Sequence, residues 1–204
     1  EVFPPGVINV ISGDGRNTGD ALVRHPRVKR IALTGSVETG LLIQRSAAEV
    51  MVKHVSLELG GKNPMIVFPD ADMDSAVEGA ARGMNFHWSQ GQSCGSTSRL
   101  FLHRDIHDEF VEKLKRRVER IVIGDPLDPA TEMGCMISKS QYDKAHKYSD
   151  LGREQGAVCV TGGSRPEGAA FEMGYFIRPT IFTGVTNDMR IAQEEIFGPV
   201  LSVP

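Results

Sequence analysis

The feature that most constrains the fold is the alternation of short β-branched or aliphatic runs with longer amphipathic stretches. Helices are expected at residues 37–51 and 75–86, between or after these runs. Strands that alternate with helices in such short units indicate an α/β protein with a mostly parallel sheet. The runs predicted as strands in the first third of the chain are residues 6–12, 28–33, 54–59 and 64–68.

The second half of the chain continues this mixture of elements. Apolar residues recur at helical spacing over residues 106–121, and a further helix is predicted at 140–155. A buried strand is expected at 157–161. Within the predicted strand 176–182, Pro179 suggests an edge position or a bulge, because proline cannot donate a ladder hydrogen bond.

Composition excludes several classes of protein. Hydrophobic residues make up 40% and the formal net charge is −3, which is ordinary for a globular chain and gives no support for a nucleic-acid partner. No run approaches the roughly 20 apolar residues of a membrane span. Cys94, Cys135 and Cys159 are 41 and 24 positions apart, which fits neither a disulfide framework nor a metal site. We therefore expect a reducing, cytoplasmic compartment and no metal.

Cys94 is the first candidate for chemistry. Small polar residues surround it, and Gly91 and Gly95 leave the backbone open to close approach. A free thiol is already a few per cent thiolate at neutral pH and is a usable nucleophile. The alternative is a buried, inert cysteine, which we favour for Cys135 and Cys159.

The same segment also fits a serine-hydrolase pattern. Residues 91–95 match G-x-S-x-G, which would make Ser93 the nucleophile. That elbow needs a strand before it and a helix after it. Here a helix is predicted before it and a strand after it, so we disfavour this interpretation.

Glu58 is the second candidate. It stands near the carboxyl end of a predicted parallel strand, just before Gly60 and Gly61. Ligands of open α/β sheets bind at such strand ends, where a carboxylate can project into a crevice. A surface glutamate with no function is the alternative.

Two further segments could hold a nucleotide. The turn from Gly35 to Gly40 lies between a predicted strand and helix, where backbone amides and the Ser36 hydroxyl can meet a phosphate. Glu195 and Phe197 lie in an acidic-aromatic segment that ends in Gly-Pro, and its two acids could hold a ribose diol. The alternative for this segment is a plain helix end and turn. A third glycine-rich turn, residues 13–19, misses G-x-G-x-x-G by one position.

Taken together, seven segments in one order resemble the aldehyde dehydrogenase superfamily, and they cover essentially all 204 residues. No single segment is decisive, but their order is very specific. The segments begin at Phe3 (FPPGVINV), Leu33 (LTGSVETG), Leu57 (LELGGKNP), Gly91 (GQSC), Gly124 (GDPL), Gly174 (GYFIRPT) and Glu194 (EEIFGP).

The resemblance implies oxidation of an aldehyde to a carboxylic acid with NAD or NADP. Cys94 would be the nucleophile, forming a thiohemiacetal and then a thioester, and Glu58 would activate the hydrolytic water. The backbone N–H of Cys94 would donate to the oxyanion. The implied cofactor contacts are Gly35, Ser36 and Gly40 along the cofactor, Leu59 against the nicotinamide, Glu195 on the nicotinamide ribose and Phe197 beside it.

The resemblance also implies an organisation. Residues 1–60 would be the C-terminal part of a dinucleotide-binding domain, and residues 61–204 most of the catalytic domain. Chains of this superfamily are more than twice this length, so we expect an internal segment of a longer protein that forms homo-oligomers. Two alternatives stay open: a catalytically incompetent fragment, and a thiol hydrolase or acyltransferase that uses Cys94.

One departure bears on the substrate. Glu58 and Cys94 are 36 positions apart, about two more than is usual in the superfamily. We place the extra length in residues 85–89. Trp88 there could offer a cation–π surface to a quaternary ammonium aldehyde such as betaine aldehyde; a packing tryptophan is the alternative.

Overall fold

The computed structural model describes residues 2–204. The chain forms two compact units, one that ends at Gly60 and a second that covers Gly61–Pro204. Each unit has its own sheet.

The first unit is built on one strand–helix–strand crossover. β1 (Arg30–Gly35) and β2 (His54–Leu59) are parallel and are joined by α2 (Val37–Ala48). A π-helical turn, Gly15–Gly19, precedes α1 (Asp20–Arg24). This is the parallel arrangement that the alternation predicts.

The prediction of a strand at residues 6–12 is wrong. No strand forms there among residues 2–204, and Val10 is 91% exposed. A β-branched run satisfies its backbone groups as a strand only beside a neighbouring strand, and the first unit pairs β1 and β2 with each other alone. The second predicted strand also begins later, at Arg30.

The second unit contains a five-stranded sheet in the order β3-β4-β7-β6-β5. Its neighbouring strands are parallel except for the β5–β6 pair, which is antiparallel. The predicted α/β class with a mostly parallel sheet is therefore confirmed. The strands are β3 (Pro64–Val67), β4 (Arg99–Leu102), β5 (Val158–Thr161), β6 (Thr180–Thr183) and β7 (Val200–Ser202).

Helices cover this sheet and complete two hydrophobic clusters. One cluster includes Phe86, Phe110 and Leu201, and the other includes Phe182 and Ile191. Ridges of apolar residues at helical spacing produce these contacts. The helices are α3 (Met73–Gly83), α4 (Phe86–Ser89), α5 (His107–Glu119), α6 (Lys139–Glu154) and α7 (Arg190–Gln193), with a 3₁₀ turn at Ala169–Phe171.

Two strand predictions in this unit need correction. β5 is an edge strand whose Val158 is 59% exposed, so an apolar run did not mean burial. β6 begins only after Pro179 and lies inside the sheet between β5 and β7. Because the proline stands before the ladder, it removes no hydrogen bond from it. The irregularity in register falls on β5, between Cys159 and Thr161.

Within residues 2–204, no helix combines the length and the apolar character that a membrane crossing requires.

Candidate active site

Cys94 lies on a loop that leaves α4 and enters β4, and its side chain is exposed. The helix therefore precedes the loop and the strand follows it, the reverse of a serine-hydrolase elbow. Asn85 and Gln90, which flank α4, both have left-handed backbone angles, with φ of 59° and 56°. Because left-handed residues stand at both ends of α4, the helix is limited to a single turn, and the chain then changes direction into the loop.

Asn63, the residue that precedes β3, holds this loop. Its side-chain Nδ2 donates to the carbonyl oxygen of Cys94 at 2.6 Å and to that of Ser96 at 3.3 Å. Its own carbonyl accepts from the amide of Arg99 at 3.2 Å. Asn63 stands directly before β3, so a rigid element positions the backbone at Cys94. Sequence reasoning assigned Asn63 no role, although it lies within the quoted segment LELGGKNP.

Gly91 brings the Cys94 loop against the segment 194–199. Its φ is +69°, and a Cβ placed there would lie 2.4 Å from the carbonyl oxygen of Gly198. Only glycine permits both this angle and this approach. Gly95 differs, because the nearest atom to its Cβ would be the Ser93 hydroxyl at 3.7 Å. Of the two glycines near Cys94, only Gly91 is therefore required by the packing of the backbone.

Glu195 and Phe197 lie on that neighbouring segment. The Glu195 Oε1 accepts from the amide of Gly61 at 3.1 Å. Phe197 has a φ of 57°, and its carbonyl accepts from Gln141 Nε2 of α6 at 3.0 Å. Gly61, Ser93, Glu195 and Phe197 line one narrow crevice. The structure thus brings Glu195 and Phe197 together with the loop that carries Cys94.

Lys62, the residue after Gly61, has a buried side-chain nitrogen. Its Nζ has no hydrogen-bond partner within the part of the chain that the structure covers. Burial lowers the pKa of Lys62 to about 8, with a further decrease from Arg99 and an opposing increase from Glu195. The charge at this position therefore depends on pH in a range where most lysines are fully protonated.

In the first unit, the predicted residues gather at the carboxyl ends of β1 and β2. Gly35 stands opposite Leu59 in register, and Glu58 stands next to Leu59 on β2. A Cβ at Gly40 would lie 3.3 Å from the Leu59 side chain, so α2 packs closely over this strand. Because side chains alternate along a strand, Leu59 faces α2 and the exposed Glu58 faces away from it.

Ser36 is the N-cap of α2. Its hydroxyl accepts from the amide of Thr39 at 3.2 Å. The first amides of a helix have no partner inside the helix, and the helix dipole favours an anion there. The turn after β1 is therefore suited to a phosphate, with Ser36 fixing the position where the helix begins.

Trp88 is 90% exposed, so within the second unit it is not a packing residue. It lines an open groove of about 850 Å³ together with His87, Arg117 and Glu132. His87 Nε2 lies 3.0 Å from Arg117 Nη2, and burial, followed by the charge of Arg117, lowers the pKa of His87. The neutral imidazole can therefore accept from the guanidinium.

Neither of the other cysteines is fully buried, contrary to expectation. Cys135 and Cys159 are half-buried free thiols, and Cys159 Sγ lies 3.3 Å from the carbonyl oxygen of Thr161. Their positions explain this partial exposure, because Cys159 lies on β5, an edge strand, and Cys135 lies in a loop. Across residues 2–204, no group of three or more His, Cys, Asp or Glu side chains is placed to hold a metal ion.

Comparison with known proteins identifies the family. The profile of the aldehyde dehydrogenase family matches residues 1–204, the whole chain. The chain belongs to the aldehyde dehydrogenase family. The resemblance carried by the seven segments is thereby confirmed.

Individual relatives in this family extend the comparison. A betaine aldehyde dehydrogenase from Brucella anthropi is 50% identical over 201 residues, which is 98% of this chain and 40% of that protein. The crystal structure of betaine aldehyde dehydrogenase from Staphylococcus aureus with NAD+ has a TM-score of 0.94 at 42% identity, and covers 100% of this chain and 40% of its own. An NAD+ complex of aldehyde dehydrogenase from Bacillus cereus has a TM-score of 0.92 at 43% identity, with the same coverage. The chain thus spans about 40% of the length of the relatives it matches.

Proposed function

We propose that the protein containing this chain oxidises an aldehyde to a carboxylic acid with NAD or NADP. The observation that carries the proposal is the exposed Cys94, held by Asn63 and packed beside the Glu195 segment, in a chain of the aldehyde dehydrogenase family. Residues 1–60 then form the end of the dinucleotide-binding domain and residues 61–204 most of the catalytic domain. A homo-oligomeric assembly and a cytoplasmic location stay predictions.

The residues at hand suit a dinucleotide. The start of α2, after Gly35 and Ser36, offers helix N-terminal amides to a phosphate. Gly40 lets the helix pack closely on Leu59, whose side chain would lie against the nicotinamide. Glu195 uses Oε1 for the Gly61 amide, so its second oxygen can accept from a ribose hydroxyl. Two relatives of known structure carry NAD+, which is consistent with this assignment.

The chemistry follows from the thiol. The Cys94 thiolate adds to the aldehyde carbon, and the carbonyl electron pair becomes an oxyanion to which the Cys94 backbone N–H donates. A bound nicotinamide would supply the hydride acceptor, which lets the C–H bond of this tetrahedral carbon break with its electron pair. The carbonyl re-forms as a thioester on Cys94, and Glu58 takes a proton from the water that attacks it. The acid leaves, and the thiolate is regenerated.

We further propose a quaternary ammonium aldehyde as substrate. Trp88 offers a whole indole face, since it is 90% exposed, and indole is the best ring for a cation–π contact. Such a contact contributes about 0.5–2 kcal/mol, depending on how dry the site is. Two of the relatives described above are betaine aldehyde dehydrogenases, which supports this choice of substrate class.

The test follows NAD+ reduction in the whole protein with betaine aldehyde and with an uncharged aldehyde of similar size. Cys94→Ser should abolish turnover, while Cys159→Ser, a half-buried thiol elsewhere, should retain it. Glu58→Gln should slow hydrolysis of the thioester by about 10²–10⁴-fold and leave a rapid first turnover. Turnover that survives in Cys94→Ser would refute the mechanism.

Two further measurements separate the alternatives. Cys94-dependent cleavage of an activated ester, together with failure to bind NAD+ or NADP+, would indicate a thiol hydrolase or acyltransferase instead. Trp88→Ala should raise the KM for betaine aldehyde by roughly 3–30-fold and leave that for the uncharged aldehyde unchanged. Equal effects on both aldehydes would exclude the cation–π role.

A further inference from the structure

Glu194, the residue before Glu195, is held by two side chains from two different helices. The hydroxyl of Tyr148, on α6, donates to Glu194 Oε2. Arg190, at the start of α7, donates from Nε to Oε1 at 2.7 Å and from Nη2 to Oε2 at 2.9 Å. This is a bidentate, charge-assisted pair with a third donor, the strong type of hydrogen-bonded ion pair.

The charges of this group agree with its geometry. The hydrogen bonds from Arg190 and then from Tyr148 lower the pKa of Glu194 to about 2. Burial raises the pKa of Tyr148, so its hydroxyl keeps its proton and remains a donor. Glu194 is consequently an anion throughout the physiological range, and both of its oxygens are engaged.

The extended backbone at Glu194 determines on which side of the chain the Glu195 side chain lies. Glu194 ends α7 with extended angles, φ −98° and ψ 139°. Successive side chains of an extended chain point to opposite sides. Fixing the Glu194 carboxylate on Tyr148 and Arg190 therefore turns the Glu195 carboxylate to the other side, where the Gly61 amide donates to it at 3.1 Å.

We infer that Glu194, clamped by Tyr148 and Arg190, is a positioning residue that sets the orientation of the Glu195 carboxylate. The inference rests on the proposed function in one respect, that Glu195 receives the ribose hydroxyls of the cofactor. Both carboxylate oxygens of Glu194 already accept from Tyr148 and Arg190, so Glu194 acts through Glu195. Glu194 keeps the Glu195 carboxylate in one orientation before the cofactor binds. Without Glu194, that side chain would have to be ordered on binding, and this ordering would weaken the affinity for the cofactor.

The experiment uses the whole protein and the variant Glu194→Ala, with Tyr148→Phe as a second, milder variant in case the first fails to fold. Glu112→Ala is the matched control, since Glu112 forms an exposed pair of the same spacing with Arg116, at 2.9 Å, on α5. Steady-state kinetics with varied NAD+ and a crystal structure of each variant are the two readouts.

We expect Glu194→Ala to raise the KM for NAD+ about tenfold with kcat changed less than about threefold, and Tyr148→Phe to raise it about threefold. Glu112→Ala should stay within about twofold. In crystals of Glu194→Ala, the Glu195 carboxylate should leave the Gly61 amide. An effect confined to kcat, or equal in the control, would overturn the inference.

The crystal structures separate this inference from the proposed function. A Glu195 carboxylate that still accepts from Gly61 in Glu194→Ala overturns the positioning role, whatever the protein oxidises. A wild-type protein that reduces no NAD+ or NADP+ refutes the proposed function, and the position of Glu195 in the variant then decides the inference alone.

Discussion

Replacing Gly91 by alanine tests the contact that joins the Cys94 loop to the segment 194–199. The new methyl carbon would lie 2.4 Å from the Gly198 carbonyl oxygen and 2.8 Å from the Pro199 nitrogen, where ordinary contact begins at 3.4 Å. Both obstacles are backbone atoms, so no side chain can rotate away. One of the two backbone segments has to move by about 1 Å.

The magnitude has two parts. A left-handed backbone angle, here φ +69°, costs an alanine about 1–2 kcal/mol. Forcing a methyl group into a filled space costs about 1–3 kcal/mol. The variant should therefore lose about 2–5 kcal/mol of local stability. Gly95→Ala, in the same loop but in open surroundings, should change it by less than about 0.5 kcal/mol.

Hydrogen exchange in the whole protein reports this difference directly. The amide of Thr97 donates to the Gly83 carbonyl at 2.9 Å and closes the loop. Local opening exposes it, so Gly91→Ala should lower its protection by about thirtyfold or more. Equal protection in Gly91→Ala and Gly95→Ala would show that the close approach at Gly198 is absent.

Three further predictions concern single side chains. Asn63→Ala removes the donor to the Cys94 carbonyl at 2.6 Å and should lower kcat about 10–100-fold through misplacement of the nucleophile, with NAD+ affinity retained. Hydrogen bonds from Arg117 and then from Arg82 lower the pKa of Glu78 from 4.5 to about 2. The ionised carboxylate therefore stabilises the fold above pH 4.5, and this contribution to the free energy of unfolding is lost as the pH falls towards 2. Glu78→Gln should consequently weaken the pH dependence of the free energy of unfolding in that window. Burial lowers the pKa of Lys62 from 10.5 to about 8. Between these pH values the unfolded chain binds more protons than the folded chain, so the free energy of unfolding should rise with pH. Lys62→Met should abolish this rise, as measured by urea unfolding at several pH values.

Matched controls keep these predictions specific. Asn187→Ala changes an exposed asparagine of the same unit and should leave kcat unchanged. Glu112→Gln removes an exposed carboxylate paired with Arg116 and should leave acid unfolding unaltered. A kcat loss that Asn63→Ala shares with its control, or an unchanged slope in Lys62→Met, would contradict the physical reasons given.

Patterns within a short stretch of chain predicted much of the fold. The alternation of strand and helix predicted the parallel sheets, and β2 falls on residues 54–59 as expected. Residues 6–12 carry the same pattern, yet form no strand. The β5 run is equally apolar, yet lies at the sheet edge. Local periodicity indicates that a segment can form a strand. Whether another strand pairs with it, and whether other elements bury it, depends on the topology of the fold.

The candidate site shows the same limit. Gly91 and Gly95 predicted a backbone open to close approach, and at Gly91 the carbonyl of Gly198 makes such an approach. The donors to that region were not predictable from spacing: Asn63 is 31 positions from Cys94, and Tyr148 is 46 from Glu194. Hydrogen bonds over such separations depend on how elements pack, about which a single sequence carries no direct signal.

The segment that follows α7 shows how these distant contacts act together. Tyr148 holds Glu194, the Gly61 amide holds Glu195, and Gln141 holds the carbonyl of Phe197. Phe197 has a φ of 57°, an angle that costs a non-glycine residue about 1–2 kcal/mol. A strained residue persists only where its surroundings over-determine it. Three anchors within four residues, on Glu194, Glu195 and Phe197, provide that constraint. The energetic cost of this conformation is therefore offset when the chain folds, before any ligand binds.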